Sequence, residues 1–191
     1  MAKDFSSDTD YPIGMRNNNP GNLRPSFPPW IGQTGSENNF CTFKDMSYGL
    51  RAMAIDLSNK IENDGLDTIS SIINKYAPPS ENDTQSYIDA VVAGTGWDAN
   101  APIVLNSANL QALMEAQIQV EQGSPYAQMI TGADIQEGIS MIPQSITNRV
   151  TSFFIDNPAL ATASSIGVVA VVVVIVFVVI GKKPGFLKNI L

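Results

Sequence analysis

The strongest constraint in the chain is a run without charge. From Asn157 to Gly181 no residue is ionisable, and Ile166 to Ile180 is valine and isoleucine apart from one Gly, one Ala and one Phe. About 20 apolar residues suffice to cross a bilayer as a helix, whereas a strand that long would be unusual in a small domain. The run therefore predicts a transmembrane helix over 157–181. It divides the 191 residues into one domain of ordinary size and an anchor.

Charge follows the same division. All 18 acidic residues precede the run, while Lys182, Lys183 and Lys188 follow it. The preceding part holds eight basic against eighteen acidic residues, a charge of −10, within a whole-chain charge of −7. Such a domain has no basic stripe to replace phosphate counterions, so nucleic acid is excluded as a partner. Lysines just beyond an apolar span match a short cytoplasmic tail, 182–191. Met1 to Asp10 is polar and acidic, without the apolar core of a signal peptide. An outward-facing domain would then reach its place by tail insertion or by assembly into a virus particle.

Two absences limit the chemistry. Cys41 is the single cysteine and there is no histidine. Internal disulfides, multi-cysteine metal sites and nucleophilic mechanisms that use histidine are thereby removed. No metal or cofactor is expected, and carboxylates are left as the acid/base groups.

The most distinctive polar run is Arg16-Asn17-Asn18-Asn19-Pro20-Gly21-Asn22-Leu23-Arg24. Pro-Gly makes a turn, and asparagine bonds its own backbone or adopts left-handed geometry. The same carboxamides and guanidiniums could line a polar cleft. Residues 1–13 before it read as a flexible arm. Trp30 to Phe43 reads as a short hairpin, in which Trp30 is either a core anchor or a surface on which a sugar stacks.

Helical periodicity then takes over. One helix starts after Asp45, carries Leu50, Met53, Ala54, Leu57 and Ile61 on one face, and stops at Asn63-Asp64-Gly65. A second, from Asp67, buries Ile69, Ile72, Ile73 and Tyr76 before Pro78-Pro79. Ser80 and Asp83 frame a third, with Ser80 as cap and Asp83 reaching back, and Gly94 closing it. Glu81 either belongs to that helix start or faces the cleft. Residues 133–154 are amphipathic, with Pro143 splitting them.

The helix expected over Asn106 to Gln122 is the most informative. Leu110, Leu113, Met114 and Ile118 form its apolar stripe, and Glu121, eleven residues beyond Leu110, returns to that face. Burial and the nearby helix carbonyl end both push such a carboxyl toward its neutral form, as a general acid requires. The alternative is a frayed helix end that releases Glu121 to solvent. Glu115 points to the polar side.

The Asn-rich run, Trp30, Phe40-Cys41-Thr42-Phe43, Tyr48-Gly49-Leu50-Arg51-Ala52 and Tyr76-Ala77-Pro78-Pro79-Ser80-Glu81-Asn82-Asp83-Thr84 together resemble a family of phage and prophage virion proteins, structural protein P5. The match covers about Gly14 to Gly96. These proteins look lysozyme-like, with parts similar to flagellar-type glucosaminidases. In those enzymes and in lytic transglycosylases the helix bearing the catalytic Glu precedes the turn motif, whereas here no Glu lies before Arg16. Instead Ala116 to Ala127 resembles the Glu-Ser-Gly helix end of lytic transglycosylases, with Gln122 in place of Ser. The same parts stand in rotated order.

The resemblance implies a mainly α, lysozyme-like domain with a short β-hairpin over 14–130. An amphipathic juxtamembrane segment, 131–156, would follow, and then the transmembrane helix. It implies a virion-associated, membrane-anchored cleavage of peptidoglycan glycan strands, with the lipid bilayer and other virion proteins as further partners. Glu121 would be the acid, with Glu81 the candidate if a second carboxylate takes part. Asn18, Asn22, Arg24, Trp30 and Tyr126 would contact substrate, and Glu121 should face Asn18, Asn22 and Arg24 across a groove. The rival expectation is a non-catalytic structural protein of the particle that keeps the lysozyme-like shape and binds glycan.

Overall fold

Each of the longer helices begins where a short polar side chain accepts a bond from the free backbone N–H groups of the first turn. The computed structural model describes residues 3–80 and 82–143. After a single turn, α1 (Ile13–Arg16), come the strands β1 (Gln33–Glu37) and β2 (Phe40–Phe43), paired antiparallel with Ser36 opposite Cys41. Asp45 caps α2 (Met46–Glu62), accepting from the N–H groups of Ser47 and Tyr48. Thr68 caps α3 (Ile69–Tyr76) in a reciprocal box with Ser71. The third helix start differs from expectation, because Asp83 is itself the cap of α4 (Thr84–Thr95), accepting from Ser86. That helix continues past Gly94 and stops at Gly96, whose φ of 73° is left-handed. Asn106 caps α5 (Ser107–Gln122), followed by α6 (Ser124–Ala127) and α7 (Gly132–Ser140).

The core is built from the faces that periodicity marks. Leu50, Met53 and Leu57 of α2, Ile69, Ile72 and Ile73 of α3, and Leu113, Met114 and Ile118 of α5 are at most 2% exposed. The segment expected as an arm is held at several points. Lys3 accepts from Met46 N–H and bonds Met129 and Asp134, while the Phe5 ring meets Tyr11 edge to face at 5.6 Å.

The expected fold class needs one correction. The described residues are mainly helical with a two-stranded hairpin, but no helix among them is long and apolar enough to cross a membrane. The run expected to form a transmembrane helix, 157–181, lies outside the described residues, as do the tail 182–191 and the amphipathic segment beyond Pro143.

Candidate functional site

The Asn-rich run folds as a loop that is wired from inside. Asn18 and Asn22 take left-handed φ values of 50° and 48°, which asparagine tolerates better than other non-glycine residues. Asn19, fully buried, donates to the carbonyls of Leu23 and Cys41 and accepts from Leu23 N–H, at 2.9 to 3.0 Å. The free edge of β2 is completed by the same loop: Cys41 N–H bonds Leu23 O and Phe43 N–H bonds Asn17 O, both at 2.8 Å. On its other side the loop sits on α2. A Cβ on Gly49 would lie 1.8 Å from the Asn18 carbonyl oxygen, so only glycine permits this contact.

The C-terminal end of α5 grips the loop through two adjacent residues. Gln122, 5% exposed, donates from Nε2 to the Pro20 carbonyl at 2.8 Å. Glu121 accepts from Asn22 Nδ2 at 2.7 Å on Oε2 and from the Tyr87 hydroxyl at 2.7 Å on Oε1. Gln122 is thus a clasp on the loop. The helix does not fray before Glu121; it runs to Gln122 and ends at Gly123.

Glu121 opens into a cleft of about 830 Å³, whose walls include Asn22, Arg24, Trp30, Tyr76 and the pair Asp56 and Lys60. Burial raises the Glu121 carboxyl above its ordinary value, opposed by the bonds from Tyr87 and Asn22, which favour the ionised form. Tyr76 is pushed well above its usual phenol value by burial first, then by the negative charges of Glu121 and Asp56. Tyr87 is likewise raised, chiefly by burial. The two phenols therefore stay protonated, and Tyr87 acts as a donor.

Part of the same wall is ionic. Asp56 and Lys60, one turn apart on α2, form an ion pair, and the Lys60 ammonium lies 5.6 Å from the centroid of the Tyr76 ring. Arg24 stands over Phe40 with 5.7 Å to the ring centroid. Among the described residues no three Cys, Asp or Glu gather as a metal site.

The residues read from sequence separate into two groups. Glu121, Asn22, Arg24 and Trp30 line one cleft. Asn18 does not, because its side chain is turned inward, bonding Asp4, Phe5 N–H and the Phe43 carbonyl with no exposure. Tyr126 is also elsewhere: its ring meets Tyr11 edge to face at 5.9 Å, and it is absent from the cleft wall. Glu81 lies outside the described residues. Sequence reasoning missed Tyr87, Asp56 and Lys60. Tyr87 lies among the buried residues of α4, and the signal was that a buried phenol needs a partner for its hydroxyl. Asp56 and Lys60 carried a signal in their four-residue spacing, which pairs opposite charges on a helix.

No protein-family model matches the chain. It is 37% identical over 119 residues to Protein P5 of Pseudoalteromonas phage PM2, an alignment that takes in 59% of this chain and 73% of that protein. At that identity and coverage, the chain belongs to the phage Protein P5 family.

Proposed function

We propose that this is a virion structural protein whose helical domain is lysozyme-like and cleaves peptidoglycan glycan strands, opening the wall locally during infection. Membership of the phage Protein P5 family supports the virion role. The observation that carries the chemistry is Glu121, a carboxyl raised by burial, fixed by Tyr87 and Asn22, and open to a cleft of about 830 Å³. Its neutral form would give its proton to the glycosidic oxygen as the bond to the anomeric carbon breaks. In a lytic transglycosylase-type reaction a hydroxyl of the same sugar then attacks that carbon and returns its proton to Glu121, so one carboxyl suffices. A muramidase or glucosaminidase would more often use a second carboxylate, and Asp56 is in the same wall.

One observation favours the rival, a structural protein that binds glycan without turnover. Both Glu121 oxygens already accept a hydrogen bond within the protein, as in a purely structural network. A zymogram of the purified chain on peptidoglycan separates the two. Clearing by the parent that falls at least about 100-fold in Glu121→Gln is expected. No clearing by the parent, or clearing that Glu121→Gln leaves intact, rejects catalysis. Muropeptide mass spectrometry then assigns the reaction, anhydro ends marking transglycosylation and reducing ends hydrolysis.

A further inference from the structure

The chain is acidic, yet among the described residues the wall of this cleft holds more cations than carboxylates. Seven Lys and Arg fall among the described residues, and three of them, Arg24, Lys60 and Lys75, line this one cleft. Of the others, Lys3 is tied to Asp134 and Arg16 to Glu37. The two described carboxylates of the cleft wall are both muted: Asp56 is paired with Lys60, and Glu121 is half-buried between two hydrogen-bond donors. Lys75 is exposed and has no ion pair among the described residues.

Lys60 and Lys75 each stand in the last turn of their helix, α2 and α3, where a cation complements the carbonyl end. That explains a lysine at a helix end. It does not explain why both open into the same cleft in a chain with net charge −7, nor why Asp56, which would repel an anion there, is neutralised inside the wall. A low-dielectric cleft focuses the field of an unpaired cation, and long-range repulsion from the rest of the surface is screened within about 8 Å at physiological salt.

We infer that the cleft selects an anionic glycan, with Lys75 at its lip meeting a carboxylate carried by the strand while the Lys60–Asp56 pair keeps the wall free of opposing charge. The inference rests on the glycan reading of the cleft. In peptidoglycan the carboxylate could come from the lactyl group of a sugar stripped of peptide or from the stem peptide itself.

The test uses the full chain with Glu121→Gln as background, so that nothing turns over during the measurement. Binding is measured to three ligands of matched length: neutral N-acetylglucosamine oligomers, peptidoglycan strands stripped of peptide, and strands with peptides attached. The expected result is a preference for an acidic strand over the neutral oligomer. Lys75→Ala should reduce that ratio about two- to fivefold, the range of one exposed ion pair, and Lys75→Glu should reduce it further. Lys75→Arg should keep it, as should Lys44→Ala, whose ammonium lies over Tyr48 outside the cleft. The stripped and peptide-bearing arms identify which carboxylate is read. Equal affinity for neutral and acidic ligands, or a ratio unmoved by Lys75→Glu, overturns the inference while leaving a glycan cleft. Failure to bind all three overturns the glycan reading as well.

Discussion

Glu121 is held between opposing influences. Removal from water raises its carboxyl, while the Tyr87 hydroxyl and the Asn22 carboxamide each stabilise the ionised form. Tyr87→Phe deletes one of those donors, so the Glu121 titration should move to higher pH, measurable by carbon NMR of the labelled carboxyl without any assay of activity. The same change should cost about 1–3 kcal/mol of stability, because a half-buried acceptor loses its partner. Stability also responds to pH with a defined sign. A folded carboxyl raised above its ordinary value binds its proton more tightly than the unfolded chain does. Its contribution is fully present below the unfolded value and is lost as pH rises from there through the folded value. Urea midpoints measured across that window should therefore decline with pH in the parent, and this part of the decline should vanish in Glu121→Gln. A decline of equal slope in both proteins would place the linked proton elsewhere.

At the scale of elements, the Asn-rich loop is a junction between the hairpin and two helices. It completes the edge of β2, lies against α2 at Gly49, and is clasped by α5 through Gln122 and Glu121. Gly49→Ala should cost about 3 kcal/mol or more, since the added carbon would stand 1.8 Å from a backbone oxygen that is itself held in the loop. Gly65→Ala is the comparison: its φ of 68° imposes about 1–2 kcal/mol, but nothing stands within 4 Å of the added carbon. Chemical denaturation of the two variants measures the difference, and similar losses would remove the loop contact as a determinant. Much of this level was legible from sequence. Periodicity placed α2, α3 and α5 because that signal is local, and Asp45 caps α2 as its position predicts, whereas α3 is capped by Thr68 rather than starting from Asp67. Asp83 was read as reaching back to Ser80, and it caps α4 itself, a choice between neighbouring polar residues that only backbone geometry decides. Asn18 was read as a cleft residue and is a structural one, since composition marks the loop as polar without saying which carboxamide turns inward.

At the scale of the molecule, the two ends of the described domain meet. Lys3 bonds the Met129 carbonyl at 2.7 Å and Asp134 at 2.5 Å, and Tyr11 packs edge to face on Tyr126. This closure was not legible in the sequence, because an acidic, polar N-terminal segment reads as an arm unless its partners more than a hundred residues away are known. A chain whose ends adjoin can be joined there and opened elsewhere without moving its core. The Asp134 carboxyl is raised by burial, but the bonds from Lys3 and Thr131 outweigh this and leave it below its ordinary value. Its share of stability is thus present above the unfolded value and lost as pH falls through the folded one. Lys3→Ala should weaken this closure by a few tenths to about 1 kcal/mol, with the loss confined to pH values at which Asp134 is ionised and diminished by salt. The sharper experiment is permutation. In residues 1–142 a short Gly/Ser linker from Ile142 to the start, with new ends between Asp64 and Gly65, leaves the Glu121 site untouched and breaks only an exposed turn. That permutant should melt cooperatively and keep the Glu121 titration of the parent. New ends between Pro20 and Gly21 instead cut the loop that Gln122 and Glu121 grip, and should abolish cooperative melting. If both permutants fold equally well, the loop is not the junction on which the domain is assembled.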